Sequence, residues 1–216
     1  LITEGTMLSR DESRTITEHE LQNQAKDLIS SYKYTFVICA STNIDRIASL
    51  HQVTPRGKYF LCDSYQKDVI EIARKYGEEH TPLYSFEKAL VYGKGLEEKA
   101  EKQGFCMMVR GNARFLDIMR KYKDNHNTES LVIYSMWEGY LSQPNSKLLP
   151  LMDGFQNVIH LHTSGHATHQ AIADVCNAVC PTQAIIPIHS TNSVGLETLG
   201  MAYPIRYLND GEEYSV

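Results

Sequence analysis

The densest group of possible metal ligands in the chain is HLHTSGHATHQ, residues 160–170, which holds His160, His162, His166 and His169. A self-contained zinc site needs four ligands converging at about 2.0–2.3 Å, or three and a water where the zinc is catalytic. Spacing limits what these four can do. In NVIHLHT (157–163), read as a strand, His160 and His162 project to the same face because side chains alternate. His166 follows Gly165 at the turn into a helix, and His169 lies one helical turn on, so this second pair can share a face of its own. No aspartate follows the second histidine of either pair, and the carboxylate and geometry that catalytic zinc prefers are missing. The segment is therefore not expected to be a complete metal site. His160 and His169 read as structural, and His19, His51, His80 and His126 fall into no partner pattern.

The turn within the cluster is more informative. Ser164, Gly165 and His166 lie between a strand end and a helix start, where unpaired backbone N–H groups and the helix dipole favour an anion. Gly165 lets the backbone approach closely, while Ser164 and His166 can donate to phosphate oxygens. The chemistry expected here is phosphate binding.

The elements that must position this turn can be read from periodicity. Thr17 with Glu20 has the spacing of a capping box, and Leu21, Ala25, Leu28, Ile29 and Tyr32 recur at helical intervals, which predicts a helix over about 17–32. YTFVICAS, KYFLCD, CMMVR and SLVIYSM then alternate with the helix-like NIDRIASLHQ, QKDVIEIARKYG and NARFLDIMRKYK. Short apolar runs alternating with amphipathic helices predict a parallel sheet with helices on both faces. Residues 78–104 read as polar and irregular apart from GLEEKAEKQG. Aromatic, Gly and Pro residues in WEGYLSQPNSKLLPLMDGF place a boundary near residue 150. Beyond it come a strand at NVIHLHT, a helix at HATHQAIADVCNAVC and a strand at TQAIIPIH, followed by a short helical turn and a weak strand pair.

Composition narrows the class. Apolar residues at 42% and charged residues at 22% are those of a folded globular protein, which excludes disordered and fibrous classes. A net charge of -5 argues against a broad basic face, so any polyanion must bind in a local groove. Five cysteines without CxxC spacing fit reduced core thiols rather than a structural zinc. No apolar run reaches the roughly 18 residues of a membrane span, and no signal-peptide layout opens the sequence, so a cytoplasmic location is expected.

Four short motifs carry a family resemblance. HTSGHA resembles motif B of the β-CASP nucleases, the nucleic-acid-processing branch of the metallo-β-lactamase superfamily that includes ribonuclease J. LITEGT resembles motif A, with Glu4 as its acid, and IIPIHS resembles motif C, with His189. ASTNIDRI resembles the Ser-Asn-x-x-Arg element that opens the inserted β-CASP domain, with Asn43 and Arg46. The motifs stand in the family's order over about 190 residues. The resemblance implies a β-CASP domain over 14–150, and flanking segments 1–13 and 151–216 from an incomplete metallo-β-lactamase αββα fold. It implies that His166 acts at the scissile phosphate, held by Glu4 through a carboxylate–imidazole pair, and that His162, Ser164 and Gly165 contribute to the phosphate pocket. Asn43 and Arg46 would lie near the substrate phosphate, and His189 would be a ligand in a two-zinc site. A histidine at motif C points to RNA rather than DNA.

The family's H-x-H-x-D-H motif is not among these residues. The expectation is thus a portion of a zinc-dependent RNA-processing nuclease, inactive by itself, binding zinc weakly or not at all, and needing the missing half as partner. A homodimer is a plausible way to cover apolar surface left by that half. Each motif residue has a plainer alternative: Glu4 a surface acid, Arg46 a helix-surface residue, His189 a satisfied buried histidine. Two other functions stay open, a non-catalytic nucleic-acid or nucleotide-binding α/β module and a small-substrate metallo-hydrolase. The absence of a Gly-rich phosphate loop counts against a dinucleotide site.

Overall fold

A computed structural model of the chain describes residues 1–10, 16–77 and 79–215. In chain order the strands are β1 (Ile2–Glu4), β2 (Tyr34–Ile38), β3 (Tyr59–Cys62), β4 (Ala89–Val91), β5 (Phe105–Val109), β6 (Ser130–Tyr134), β7 (Val158–His160) and β8 (Ile186–Ile188). The helices are α1 (Glu18–Ser31), α2 (Ile44–Val53), α3 (Ser64–Gly77), α4 (Glu97–Gln103), α5 (Ala113–His126), α6 (Leu149–Met152) and α7 (His169–Val179). They fall into two compact units, Ile16–Thr163 and Leu1–Thr15 with Ser164–Val216. The boundary expected near residue 150 falls instead after Thr163. The reason is pairing: β7 joins the larger unit's sheet beside β6, and α6 buries Leu151 in that unit's core. The boundary expected at residues 13 and 14 lies outside the described residues.

The larger unit is built on a parallel six-stranded sheet in the order β4-β3-β5-β2-β6-β7. The residues of β2, β5 and β6 are all buried, as the continuous apolar runs require of strands covered on both faces. Alternation divides their side chains between two cores. Val37, Cys106, Met108, Leu131 and Ile133 pack with Leu21, Ala25 and Ile29 of α1, Ile47 of α2 and Ile70 of α3. Phe36, Ile38, Met107, Val109 and Val132 pack with Ala100 of α4, Phe115, Met119 and Tyr122 of α5 and Leu151 of α6. The helices thus cover both faces of a Rossmann-like α/β layer structure.

Local signals start these helices. The Thr17 side chain accepts from Glu20 N while the Glu20 carboxylate accepts from Thr17 N, so the predicted capping box is formed. Asn43 and Asn112 cap α2 and α5 by accepting from Arg46 N and Phe115 N. One strand escaped the periodicity: β4, three residues at the sheet edge inside the stretch read as polar, pairs with β3. β2 leads to β3 on one side of the sheet order and β6 leads to β7 on the other, so the chain diverges at the C-terminal ends of β2 and β6. Such divergence opens the crevice in which α/β sheets bind ligands.

The smaller unit pairs β1 with β8 in parallel, with Ile2 opposite Ile186 and Glu4 opposite Ile188. Its core gathers Leu8, Ile172 and Cys176 of α7, Ile185 and Leu196. The helical turn expected near the C-terminus is a 3₁₀ helix at Ser193–Leu199, and the weak strand pair is reduced to one parallel bridge between Ile185 and Ile205. Cys39, Cys62, Cys106 and Cys176 are buried free thiols, and Cys180 is an exposed one. Burial pushes the Cys39, Cys62 and Cys106 thiols up to about 12, so they remain unreactive packing groups. Among the described residues no helix is long and apolar enough to cross a membrane.

Candidate functional site

Three predicted site residues meet in the smaller unit. Glu4 is the last residue of β1, and His189 follows β8 directly, so their parallel pairing brings two strand ends together across 185 positions of sequence. His166 Nδ1 lies 2.6 Å from Glu4 Oε2, and Glu4 Oε1 accepts from Ala167 N at 2.7 Å. The carboxylate therefore holds both the imidazole and the backbone beside it. The His166 and His189 ring centroids are 5.6 Å apart. Burial raises the Glu4 pKa, but the Ala167 N–H, the Thr6 hydroxyl and His166 outweigh it, and the carboxyl ends below its ordinary range. Glu4 is thus ionised at neutral pH and faces Nδ1–H of His166, which leaves Nε2 as the outward nitrogen.

His189 is oriented by Thr6. The Thr6 hydroxyl donates to His189 O at 3.1 Å, and its oxygen lies 2.9 Å from His189 Nδ1. Both contacts hold the Nδ1 side of the ring against Thr6, so Nε2 is the ring nitrogen turned away from it. His189 adopts a left-handed backbone (φ 52°), a sparsely populated state for a histidine. Gly5 makes the corner possible. A Cβ there would stand 2.8 Å from Leu8 Cδ1 and 2.9 Å from Ser190 Cβ, while Ser190 Oγ donates to Gly5 O at 2.8 Å. Thr6, Gly5 and Ser190 were not singled out by sequence reasoning; Thr6 was legible only as the residue that follows Glu-Gly.

The turn before α7 differs from expectation in one respect. Thr168, not the Ser164–His166 turn, is the cap of α7, accepting from Ala171 N at 3.2 Å. His166 therefore precedes the helix and does not share a helical face with His169, whose Nε2 bonds Met7 O at 2.9 Å. Ser164 Oγ accepts from His166 N at 3.2 Å, which shapes the turn. Gly165 is exposed, and a Cβ there would meet no described atom within 4 Å. The close backbone approach expected of Gly165 is therefore not required by any protein neighbour.

In the larger unit the predicted phosphate ligands behave otherwise. Arg46 is 1% exposed. Its Nε and Nη2 grip the Glu18 carboxylate at 2.7 and 2.9 Å, Nη1 donates to Ser135 Oγ, and Nη2 also reaches Thr163 O at 3.3 Å. The helix-surface alternative for Arg46 is corrected by this burial, and every guanidinium nitrogen has a partner inside the unit. Asn43 Oδ1 accepts from Arg46 N at 3.3 Å, so its acceptor serves the α2 cap. His162 stacks on His160 with ring centroids 6.0 Å apart and 15° between planes, as the shared strand face predicts. Burial, then the neighbouring Arg46 and His160, push His162 down to about 4. It is neutral at pH 7, and its buried Nδ1 has no hydrogen-bond partner among the described residues. His160 is structural in the sense expected, with Nδ1 2.9 Å from Glu138 Oε1 and Nε2 3.0 Å from Met136 O.

Glu4, His166 and His189 can each offer one ligand atom, all within 4.8 Å of one another. Two imidazoles and a carboxylate are donors that suit zinc. With three ligand atoms the triad is a partial set, and tetrahedral ligation needs a fourth ligand or a water to close around an ion. Compared with known proteins, the chain matches no protein-family model and no curated protein.

Proposed function

We propose that this chain carries the phosphate-handling residues of a zinc-dependent, RNA-cleaving hydrolase of the β-CASP type, with the larger unit as the β-CASP domain and the smaller as the motif-bearing part of a metallo-β-lactamase fold. The observation that supports this best is the Glu4–His166 pair at 2.6 Å with His189 beside it, since the three come from the three motifs that the resemblance assigns to the site. Glu4 fixes the tautomer of His166 and aims Nε2 outward. At that atom a proton can be held against a non-bridging phosphate oxygen or passed to the leaving oxygen, and the facing carboxylate balances the charge on the ring. Ser164 and Gly165 leave an open corner next to His166 for the phosphate. His189, oriented by Thr6, is the residue that would ligate zinc through Nε2. Zinc, when bound, supplies Lewis acidity and an activated water. The remaining ligands of H-x-H-x-D-H type must come from outside these residues.

The test is RNA hydrolysis with zinc or manganese, by the chain alone and by a protein joining it to an H-x-H-x-D-H domain. The chain alone is expected to show no robust cleavage. In the joined protein His166→Ala is expected to lower kcat about 10²–10⁴-fold, the usual contribution of a positioned acid or base, and Glu4→Gln to lower it less. Robust metal-dependent cleavage by the chain alone, or a joined enzyme indifferent to His166→Ala, overturns the proposal.

A further inference from the structure

We propose that Trp137 and Tyr140 in the larger unit form a platform on which unpaired bases of single-stranded RNA stack. The choice of RNA rests on the function proposed above; the platform is read from the larger unit alone. Trp137 is the one tryptophan of the chain and is 52% exposed; Tyr140 is 40% exposed. Both follow β6 on the side where the chain diverges from β2, at the strand ends where parallel α/β sheets take their ligands.

An exposed tryptophan in a loose loop would carry no such inference, but this one is held. Trp137 O accepts from Tyr134 Oη at 2.8 Å and from Tyr140 N at 3.1 Å, and the preceding Met136 O is bonded by His160 Nε2 at 3.0 Å. The indole packs where a side chain at residue 139 would have to go: a Cβ on Gly139 would stand 2.3 Å from Trp137 Cη2. Tyr140 meets the indole edge-on, with centroids 5.4 Å apart at 83°. The backbone that carries the indole is thus held, and the indole has Tyr140 and Gly139 as neighbours, so a stacking base has less to order. Glu138 lies between them in sequence with its carboxylate 71% exposed beside His160. A carboxylate repels a phosphate but accepts from a base amine or a ribose hydroxyl, which favours the base end of a nucleotide at this place. Stacking on aromatic side chains needs no particular base identity.

Because the chain has a single tryptophan, its fluorescence reads the platform directly. Titration of the intact chain with a short oligoadenylate RNA, without divalent metal, is expected to quench Trp137 emission to saturation. An abasic oligomer of the same length and charge should bind at least about tenfold more weakly. By anisotropy of labelled RNA, Trp137→Ala should weaken binding about tenfold, as expected for loss of one stacked base, and Trp137→Phe should restore most of it. Gly139→Ala, which displaces the indole without removing it, should weaken binding in the same direction. Absence of quenching, equal binding of the abasic oligomer, or indifference to both Trp137→Ala and Gly139→Ala overturns the platform. So does an emission change that follows protein concentration rather than RNA, which would assign the rings to a contact between copies. Quenching without any RNA cleavage by the joined enzyme would sink the nuclease reading and leave the platform standing. Cleavage dependent on His166 with no quenching would sink the platform alone.

Discussion

In the larger unit, β2, β5 and β6 are buried along their whole length and pass alternate side chains to two cores, whereas β1 and β8 of the smaller unit are three residues long and leave Ile2 and Ile188 exposed. Glu4 ends one strand of the second kind, and His189 follows the other. Long buried strands specify a fold but give their side chains no access to a substrate. Short strands that stop at Glu4 and just before His189 present polar side chains at their ends, and thinner packing is the cost of that exposure. The larger unit also carries polar groups, but it uses them differently. Its most buried cation, Arg46, is locked to Glu18, Ser135 and Thr163 rather than offered to a ligand.

The sharpest way to break this comparison is Arg46→Ala. Removing the guanidinium takes a donor from Ser135 and Thr163 O and the ion-pair partner from the Glu18 carboxylate, which is 36% exposed and can be solvated, so unfolding of the larger unit should become easier by about 3 kcal/mol in denaturant titration. A variant of unchanged stability but weakened RNA binding would show instead that Arg46 works on the ligand. An effect of up to that size, confined to acid pH, is expected from His162. Its folded pKa of about 4 lies below the unfolded value, so between about pH 6.5 and pH 4 the unfolded chain takes up a proton that the folded chain refuses. Stability should therefore be complete above that window and fall by up to roughly 3 kcal/mol as the pH drops through it. His162→Gln should flatten this acid limb, and an unchanged limb would place the titrating group elsewhere. The smallest effect belongs to the smaller unit. Thr168→Ala removes the α7 cap at a cost of about 1 kcal/mol, so α7 amides should exchange about fivefold faster while those of β2 do not change. Equal acceleration in β2 would mean that the two units open together.

Much of the larger unit was legible because its elements obey local rules. The Thr17–Glu20 capping box and the apolar runs of β2, β5 and β6 need no distant partner to be recognised. β4 was missed because Ala89–Val91 is too short to show a period and sits among polar residues. The boundary was misplaced because the Pro- and Gly-containing stretch before residue 155 resembles a linker, whereas α6 and β7 belong to the larger unit's core and sheet. The burial of Arg46 was not legible because guanidinium groups are rarely fully buried, and its partner Glu18 lies 28 positions away. No periodicity links Glu4 to His166 or His189. Only the order of the motifs pointed to that group, and the role of Thr6 in aiming His189 emerged from geometry alone.

The pairing of β1 with β8 also has a consequence for how the protein is made. The Leu1 amino group donates to Ala184 O, and β1 pairs with a strand 184 positions later. At about 5–20 residues per second the ribosome takes roughly 10–40 s to bridge that gap. Residues 16–163 emerge in the meantime as one uninterrupted stretch that contains both of the larger unit's cores. β1 must wait with its backbone groups unpaired, and the smaller unit closes only when the chain's later segment arrives. A high sequence separation of this kind makes closure slow, so the corner that joins Glu4 to His166 and His189 is expected to be the last part of the described chain to form.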